Sequence, residues 1–134
     1  MRLFLLFFVF LVTACASTDT PSNQTLVLTD QDNNKTLKLI VGQRFTVQLK
    51  ENPTTGYQWA IDTESDKLSL EQDEYVLDKM PDVNNQHIVG GGGTRKFVFA
   101  VKKSGTTTLK LKHWRFWEKA PSIVERFSIT IQAE

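Results

Sequence analysis

Cysteine is almost missing from this chain: Cys15 is the only one in 134 residues, so no disulfide can form within it. A domain of this length is large enough to fold on a hydrophobic core without such support. Histidine is nearly as scarce. His87 and His113 have no cysteine partner and no metal-ligand spacing, which leaves them as surface or rim residues and gives no metal site. An excess of either charge is also lacking, with 16 basic and 15 acidic residues, so there is no electrostatic footprint for nucleic acid. No helical period and no internal repeat can be found. The longest apolar run, Leu3 to Val12, has ten residues and is too short to cross a bilayer as a mature helix.

Catalytic signatures fail in turn. Asp30, Asp32 and Asn34 imitate the start of an EF-hand loop, but Lys35 stands where glycine is needed and Val41 where a bidentate Glu should sit. The run Gly90 to Gly93, followed by Thr94-Arg95-Lys96, has neither the spacing of a phosphate loop nor a helix after it. Ser, His and Asp occur without a nucleophile elbow. The sequence therefore predicts a protein that is not an enzyme and needs no cofactor.

The amino terminus reads as a targeting segment. Arg2 precedes the apolar run, and Val12-Thr13-Ala14 places small residues just before Cys15. This resembles the lipobox of bacterial lipoproteins, which implies a signal peptide over residues 1–14, cleavage before Cys15 and lipidation of its thiol. Ala16, being other than Asp, implies sorting to the outer membrane. The expected location is the bacterial cell envelope, lipid-anchored, at the periplasmic face or the surface. Residues 15–24 then comprise the lipidated cysteine and a polar tether rich in Ser, Thr, Asp and Pro. Losing residues 1–14 removes only Arg2 among the charges, leaving 15 basic against 15 acidic.

From Thr25 onward the pattern is strand after strand. Apolar alternation and turn residues predict strands at Thr25–Leu28, Thr36–Ile40, Arg44–Leu49, Gln58–Ile61, Leu68–Leu77, Thr94–Val101, Thr106–Trp114 and Val124–Ile131. About eight short strands in antiparallel sheets argue for an all-β, Ig-like β-sandwich over residues 25–134. The Cys–Trp–Cys signature of antibody domains is absent.

Three connections stand out. Asn52-Pro53-Thr54-Thr55-Gly56-Tyr57 is stiff at Pro53 and permissive at Gly56, with two Thr side chains at its tip that turn chemistry does not require. Ile88 and Val89 precede four glycines, Gly90, Gly91, Gly92 and Gly93, more than a tight turn needs; such backbone can lie directly against another surface. His113-Trp114-Arg115-Phe116-Trp117-Glu118 gathers residue types enriched at interface hot spots. Alternation suggests Trp114 for the core and Trp117, beyond the strand, for contact.

Taken in order, Asn52 to Tyr57, Gly90 to Gly93 and Arg115-Phe116-Trp117 resemble the signature loops of the chagasin-type inhibitors of cysteine peptidases, N-P-T-T-G-[YF], G-x-G-G and R-P-W. The resemblance covers about Thr36 to Ile131. The third loop departs from the pattern, with Phe116 in place of Pro. The resemblance implies a chagasin-like sandwich that wedges loops 52–57, 88–93 and 115–118 into the active-site cleft of papain-like cysteine peptidases, inhibiting them reversibly and competitively; a monomer is expected. It implies that Thr54 and Thr55 sit nearest the catalytic Cys and His. It also implies that Ile88 to Gly93 lie along the non-primed side, and that Trp117 and Arg115 pack on the primed side. The rival reading is a non-inhibitory Ig-like envelope lipoprotein, an adhesin or assembly module, that binds protein through the same loops. A carbohydrate platform built on the Trp residues ranks last, since the Thr-Thr tip and the glycine run have no purpose in one.

Overall fold

The structure is a computed structural model that describes residues 25–63, 65–78 and 92–134. Within them the strands are β1 (Leu26–Leu28), β2 (Thr36–Leu39), β3 (Arg44–Glu51), β4 (Gln58–Ile61), β5 (Leu68–Leu77), β6 (Gly93–Val101), β7 (Gly105–Trp114) and β8 (Glu125–Ala133). Each lies within two residues of its expected bounds. They form two four-stranded sheets, ordered β1-β3-β6-β5 and β2-β8-β7-β4.

Alternation is what drives the two sheets together. Phe45, Val47 and Leu49 of β3, Phe97, Phe99 and Val101 of β6, Leu109 and Leu111 of β7, and Phe127, Ile129 and Ile131 of β8 all point inward and are buried. Fully burying side chains of this size contributes about 1.5–3 kcal/mol apiece. Phe45 and Phe99 stack across the β3–β6 ladder with centroids 5.4 Å apart.

The expectation of antiparallel sheets needs correcting at one edge of each. The ladders β3–β6, β5–β6, β4–β7 and β7–β8 are antiparallel, but β1 pairs parallel to β3 and β2 parallel to β8. Physically, β1 and β2 belong to different sheets, linked through a 3-10 turn at Asp30–Asp32, so they do not form a hairpin. Each instead joins an edge whose existing strand already runs its way.

This topology separates the two ends of the sandwich. The β3–β4 and β7–β8 connections meet at one pole, where β5 also ends and β6 begins. At the other are the β2–β3 turn, the β6–β7 turn and both ends of the described chain, because Leu26 pairs with Phe45 and Gly105 with Ala133.

Just past β4, Asp62 ties three strands together. Lys112 donates to it at 2.8 Å and Arg126 at 3.2 Å. The hydrogen-bonded Lys112 ammonium, helped by Arg126, holds the carboxyl below its ordinary value. A depressed folded-state pKa adds stability above the unfolded value, and that increment disappears as pH falls through the folded one. Asp62→Asn should therefore cost at most about 1 kcal/mol at neutral pH and almost nothing near pH 2, as read from denaturation midpoints at the two pH values.

Candidate functional site

The β3–β4 connection crosses from one sheet to the other, so no backbone ladder closes its base. Side chains do that instead. The Trp59 amide donates to Glu51 Oε2 at 2.6 Å, and the Trp59 indole N–H donates to the Lys50 carbonyl at 2.9 Å. Glu51 is only 3% exposed, at a position in phase with the core residues of β3. Its other oxygen faces Arg95 Nη1 at 3.8 Å, and Arg95 Nε pairs with Asp73 at 2.5 Å. The buried carboxylate is thus met by a backbone amide and a guanidinium. Losing the guanidinium would leave the buried charge without an opposite one.

Above this base the loop is one turn of 3-10 helix, Pro53–Thr55. Asn52 caps it: its side-chain oxygen accepts from the Thr54 amide at 3.2 Å and from the Thr54 hydroxyl at 2.6 Å. Pro53 occupies the first helical position, where a missing N–H costs nothing. The carbonyls turn inward. That of Asn52 accepts from the Thr55 amide at 3.1 Å and its hydroxyl at 2.7 Å, and that of Pro53 accepts from the Gly56 amide at 2.9 Å. Gly56 ends the turn at φ +79°, a left-handed conformation.

Arg115 joins this loop to the third one. Its Nε and Nη2 donate to the Thr55 carbonyl at 3.2 and 3.0 Å, its guanidinium lies 4.3 Å from the centroid of Tyr57, and its Nη1 pairs with Glu118 at 3.1 Å. One planar cation therefore spans two loops sixty residues apart in sequence, using a fork and a stacking face that Lys lacks. Ser122, buried at 6%, holds the far side of the third loop: its Oγ accepts from the Arg115 amide at 3.0 Å and lies 2.9 Å from the Arg115 carbonyl and 2.7 Å from that of Lys119.

Trp117 leans over the first loop. A Cβ placed on Gly56 would come within 2.6 Å of the Trp117 ring, so glycine is required there twice, once by the dihedral and once by the indole. The outward side of Trp117 stays free, at 53% exposure, with Phe116 packed edge-on at 5.0 Å and itself 61% exposed. Two large aromatics thus stand open to solvent beside a braced turn, an exposed apolar patch of the kind that marks interaction sites in general.

Of the glycine loop, Ile88, Val89, Gly90 and Gly91 lie outside the described residues. Gly92 and Gly93 are described, and Gly93 is a packing position: as the first residue of β6 it is buried, and a Cβ there would lie within 2.5 Å of the Tyr75 hydroxyl and the Val76 carbonyl.

Two aromatic assignments change. Trp114 is not core. The inward phase of β7 runs Leu109, Leu111, His113, so Trp114 falls on the outer face, opposite Gln58, with Lys112 Nζ 4.1 Å from its ring centroid. His113 is instead a packed residue. Its imidazole stacks on Trp59 at 4.8 Å and meets the edge of Tyr57 at 5.7 Å, with Glu125 3.7 Å away. His87 lies outside the described residues.

Phe116 follows Arg115 in a turn closed by the Glu118 amide donating to the Arg115 carbonyl at 3.1 Å. That is the second position of a β-turn, where proline is favoured. Phe116→Pro should therefore raise stability by about 0.4–1 kcal/mol through a less flexible unfolded chain, visible as a higher thermal midpoint.

Several known proteins are similar to this chain. The chain is 34% identical over 112 residues to Amoebiasin-2 of Entamoeba histolytica, which covers 84% of this chain and 85% of that protein. It is 30% identical over 106 residues to Chagasin of Trypanosoma cruzi, covering 79% and 96%. Among solved structures, the cysteine protease inhibitor EhICP2 of Entamoeba histolytica superposes with a TM-score of 0.72 at 30% identity, covering 82% of this chain and 96% of that one. Residues 38–131 match the family described as Chagasin family peptidase inhibitor I42, a span that begins in β2, ends in β8 and contains both braced loops. The chain belongs to the chagasin family of peptidase inhibitors.

Proposed function

We propose that this domain is a reversible, competitive inhibitor of papain-like cysteine peptidases that enters the active-site cleft with loops 52–57, 88–93 and 115–118. The observation that carries this reading is the Arg115 bridge, which turns two of the motif loops into a single braced edge before any partner arrives. Preorganisation of this kind limits the ordering entropy lost on binding.

The same geometry explains why such a protein would survive a peptidase. Cleavage needs a carbonyl presented in an extended segment, in near-attack position to the thiolate. Here the backbone at Pro53–Thr55 is coiled, and the carbonyls of Asn52, Pro53 and Thr55 are all engaged within the protein. Thr54 and Thr55, both exposed, would fill the space beside the catalytic Cys and His without offering a scissile bond. Titration of a panel of papain-like peptidases with the soluble domain from Thr18 onward tests the proposal. Competitive inhibition with the domain left intact is expected. No inhibition at micromolar concentration across the panel would reject it in favour of the adhesin or assembly module.

A second part of the proposal concerns location. Val12-Thr13-Ala14-Cys15 supports lipidation at Cys15 and attachment to a membrane of the bacterial envelope, with residues 1–14 removed. The described domain begins at the pole opposite the loops, so an anchor there would leave the loops directed away from the bilayer. In a detergent phase separation, wild type should enter the detergent phase and Cys15→Ser the aqueous one; identical partitioning into the aqueous phase would exclude the anchor.

A further inference from the structure

Beside the braced loops, a groove of about 320 Å³ runs along β4. One flank is aromatic, formed by Trp114 and Phe116; the other is the Asp73–Arg95 pair. Trp114 stands out because the core does not use it. Its indole lies on the outer face of the sheet and is held by Lys112, which Asp62 fixes in turn at 2.8 Å. A sheet position with one face toward water does not call for a tryptophan. Phe116, at 61% exposure, belongs to the third loop and to the groove at once, so the groove opens where the loop surface ends.

The floor is suited to an extended chain. Among the described residues β4 is the terminal strand of its sheet and pairs only with β7. The Asp62 amide donates to the Lys110 carbonyl at 2.8 Å, so by alternation Gln58 and Ala60 bond toward β7 while Trp59 and Ile61 face the free side. The Trp59 amide is taken by Glu51. Among the described residues, that leaves the Trp59 carbonyl and the amide and carbonyl of Ile61 to pair with an added strand. The edge is only four residues long, too short to invite general strand addition but enough for two or three residues of a partner.

We propose that this groove takes a short extended segment of the target peptidase lying outside its catalytic cleft, with an apolar side chain of that segment against the Trp114 indole. Continuity fixes the occupant: an enzyme seated on Trp117 and Phe116 already covers the mouth of the groove. The loops read a cleft that all papain-like peptidases share in its chemistry, whereas the groove reads the wall beside it. Trp114 therefore sets which peptidases are held tightly. This rests on the inhibitory reading above.

The test is a comparison of inhibition constants for wild type, Trp114→Thr, Gln58→Arg and Trp117→Ala across a panel of papain-like peptidases, alongside thermal midpoints. Thr keeps strand propensity while removing the indole, and Gln58→Arg, at the position opposite Trp114, obstructs the groove while keeping the indole. Both groove variants should unfold within about 2 °C of wild type and weaken inhibition of some peptidases by roughly ten-fold while sparing others, changing the order of preference. Trp117→Ala should weaken all of them. If Trp117→Ala inhibits poorly while both groove variants match wild type throughout, the groove is not a contact and this inference fails, with the inhibitory reading intact. If wild type inhibits nothing, the inhibitory reading itself fails. Should Trp114→Thr unfold, Gln58→Arg alone decides, and uniform loss across the panel would count against selectivity. Self-association of wild type that both groove variants abolish would assign the edge to a second copy and overturn the proposal.

Discussion

Trp117→Ala is expected to weaken inhibition by about 30-fold or more while leaving the sandwich folded. The indole lies over Gly56, packs edge-on against Phe116 and is 53% exposed, so its removal takes away a half-exposed side chain rather than a fully buried one. A large aromatic presented this way and desolvated on binding typically accounts for roughly 2–4 kcal/mol when truncated. The measurement is an inhibition constant beside a thermal midpoint. Unchanged inhibition would remove the third loop from the contact surface, and a collapsed midpoint would show that the indole serves folding after all.

The second large effect is expected at Gly56. Alanine there meets two penalties. The left-handed dihedral costs a residue with a side chain about 1–2 kcal/mol, and the new methyl group would lie within 2.6 Å of the Trp117 ring. Since that indole is half open to solvent, the collision resolves by moving Trp117 rather than the turn. Gly56→Ala should thus lower stability by about 1–2 kcal/mol and weaken inhibition at least ten-fold. The two substitutions should not add. In a Trp117→Ala background the collision is gone, and Gly56→Ala should then cost only its backbone share. Full additivity of the two inhibition losses would mean that the ring and the glycine act independently.

What could be read without coordinates, and what could not, divides along the range of the interactions. Strands came from local alternation, and the three loops from local turn chemistry. The bridge from Arg115 to Thr55 joins residues sixty positions apart, and no local pattern announces it. Nor does any local pattern tell that Gly93 is small because Tyr75 fills the space beside it. Other features were legible but missed. Extending the phase of Leu109 and Leu111 by two gives His113, which puts Trp114 outside. The same arithmetic puts Glu51 in register with Phe45, Val47 and Leu49, and Arg95 with Phe97, Phe99 and Val101. Opposite charges in core phase at the ends of two strands signal a buried pair, and here that pair lies under the loops. The parallel edges of β1 and β2 were beyond reach for a different reason: alternation fixes which face a residue takes, not the direction of the neighbouring strand.

Both ends of the described domain lie at one pole, with a practical consequence. Thr25 precedes β1 at the pole away from the loops, and Glu134 follows β8 at that same pole, its carbonyl accepting from the Val41 amide at 3.0 Å. A resin, a dye or a fused protein joined at either end would therefore leave the Thr54–Thr55 tip and the Trp117 ring unobstructed. The domain is suited to serve as an immobilised bait for recovering cysteine peptidases from a mixture, in whichever orientation is convenient to build.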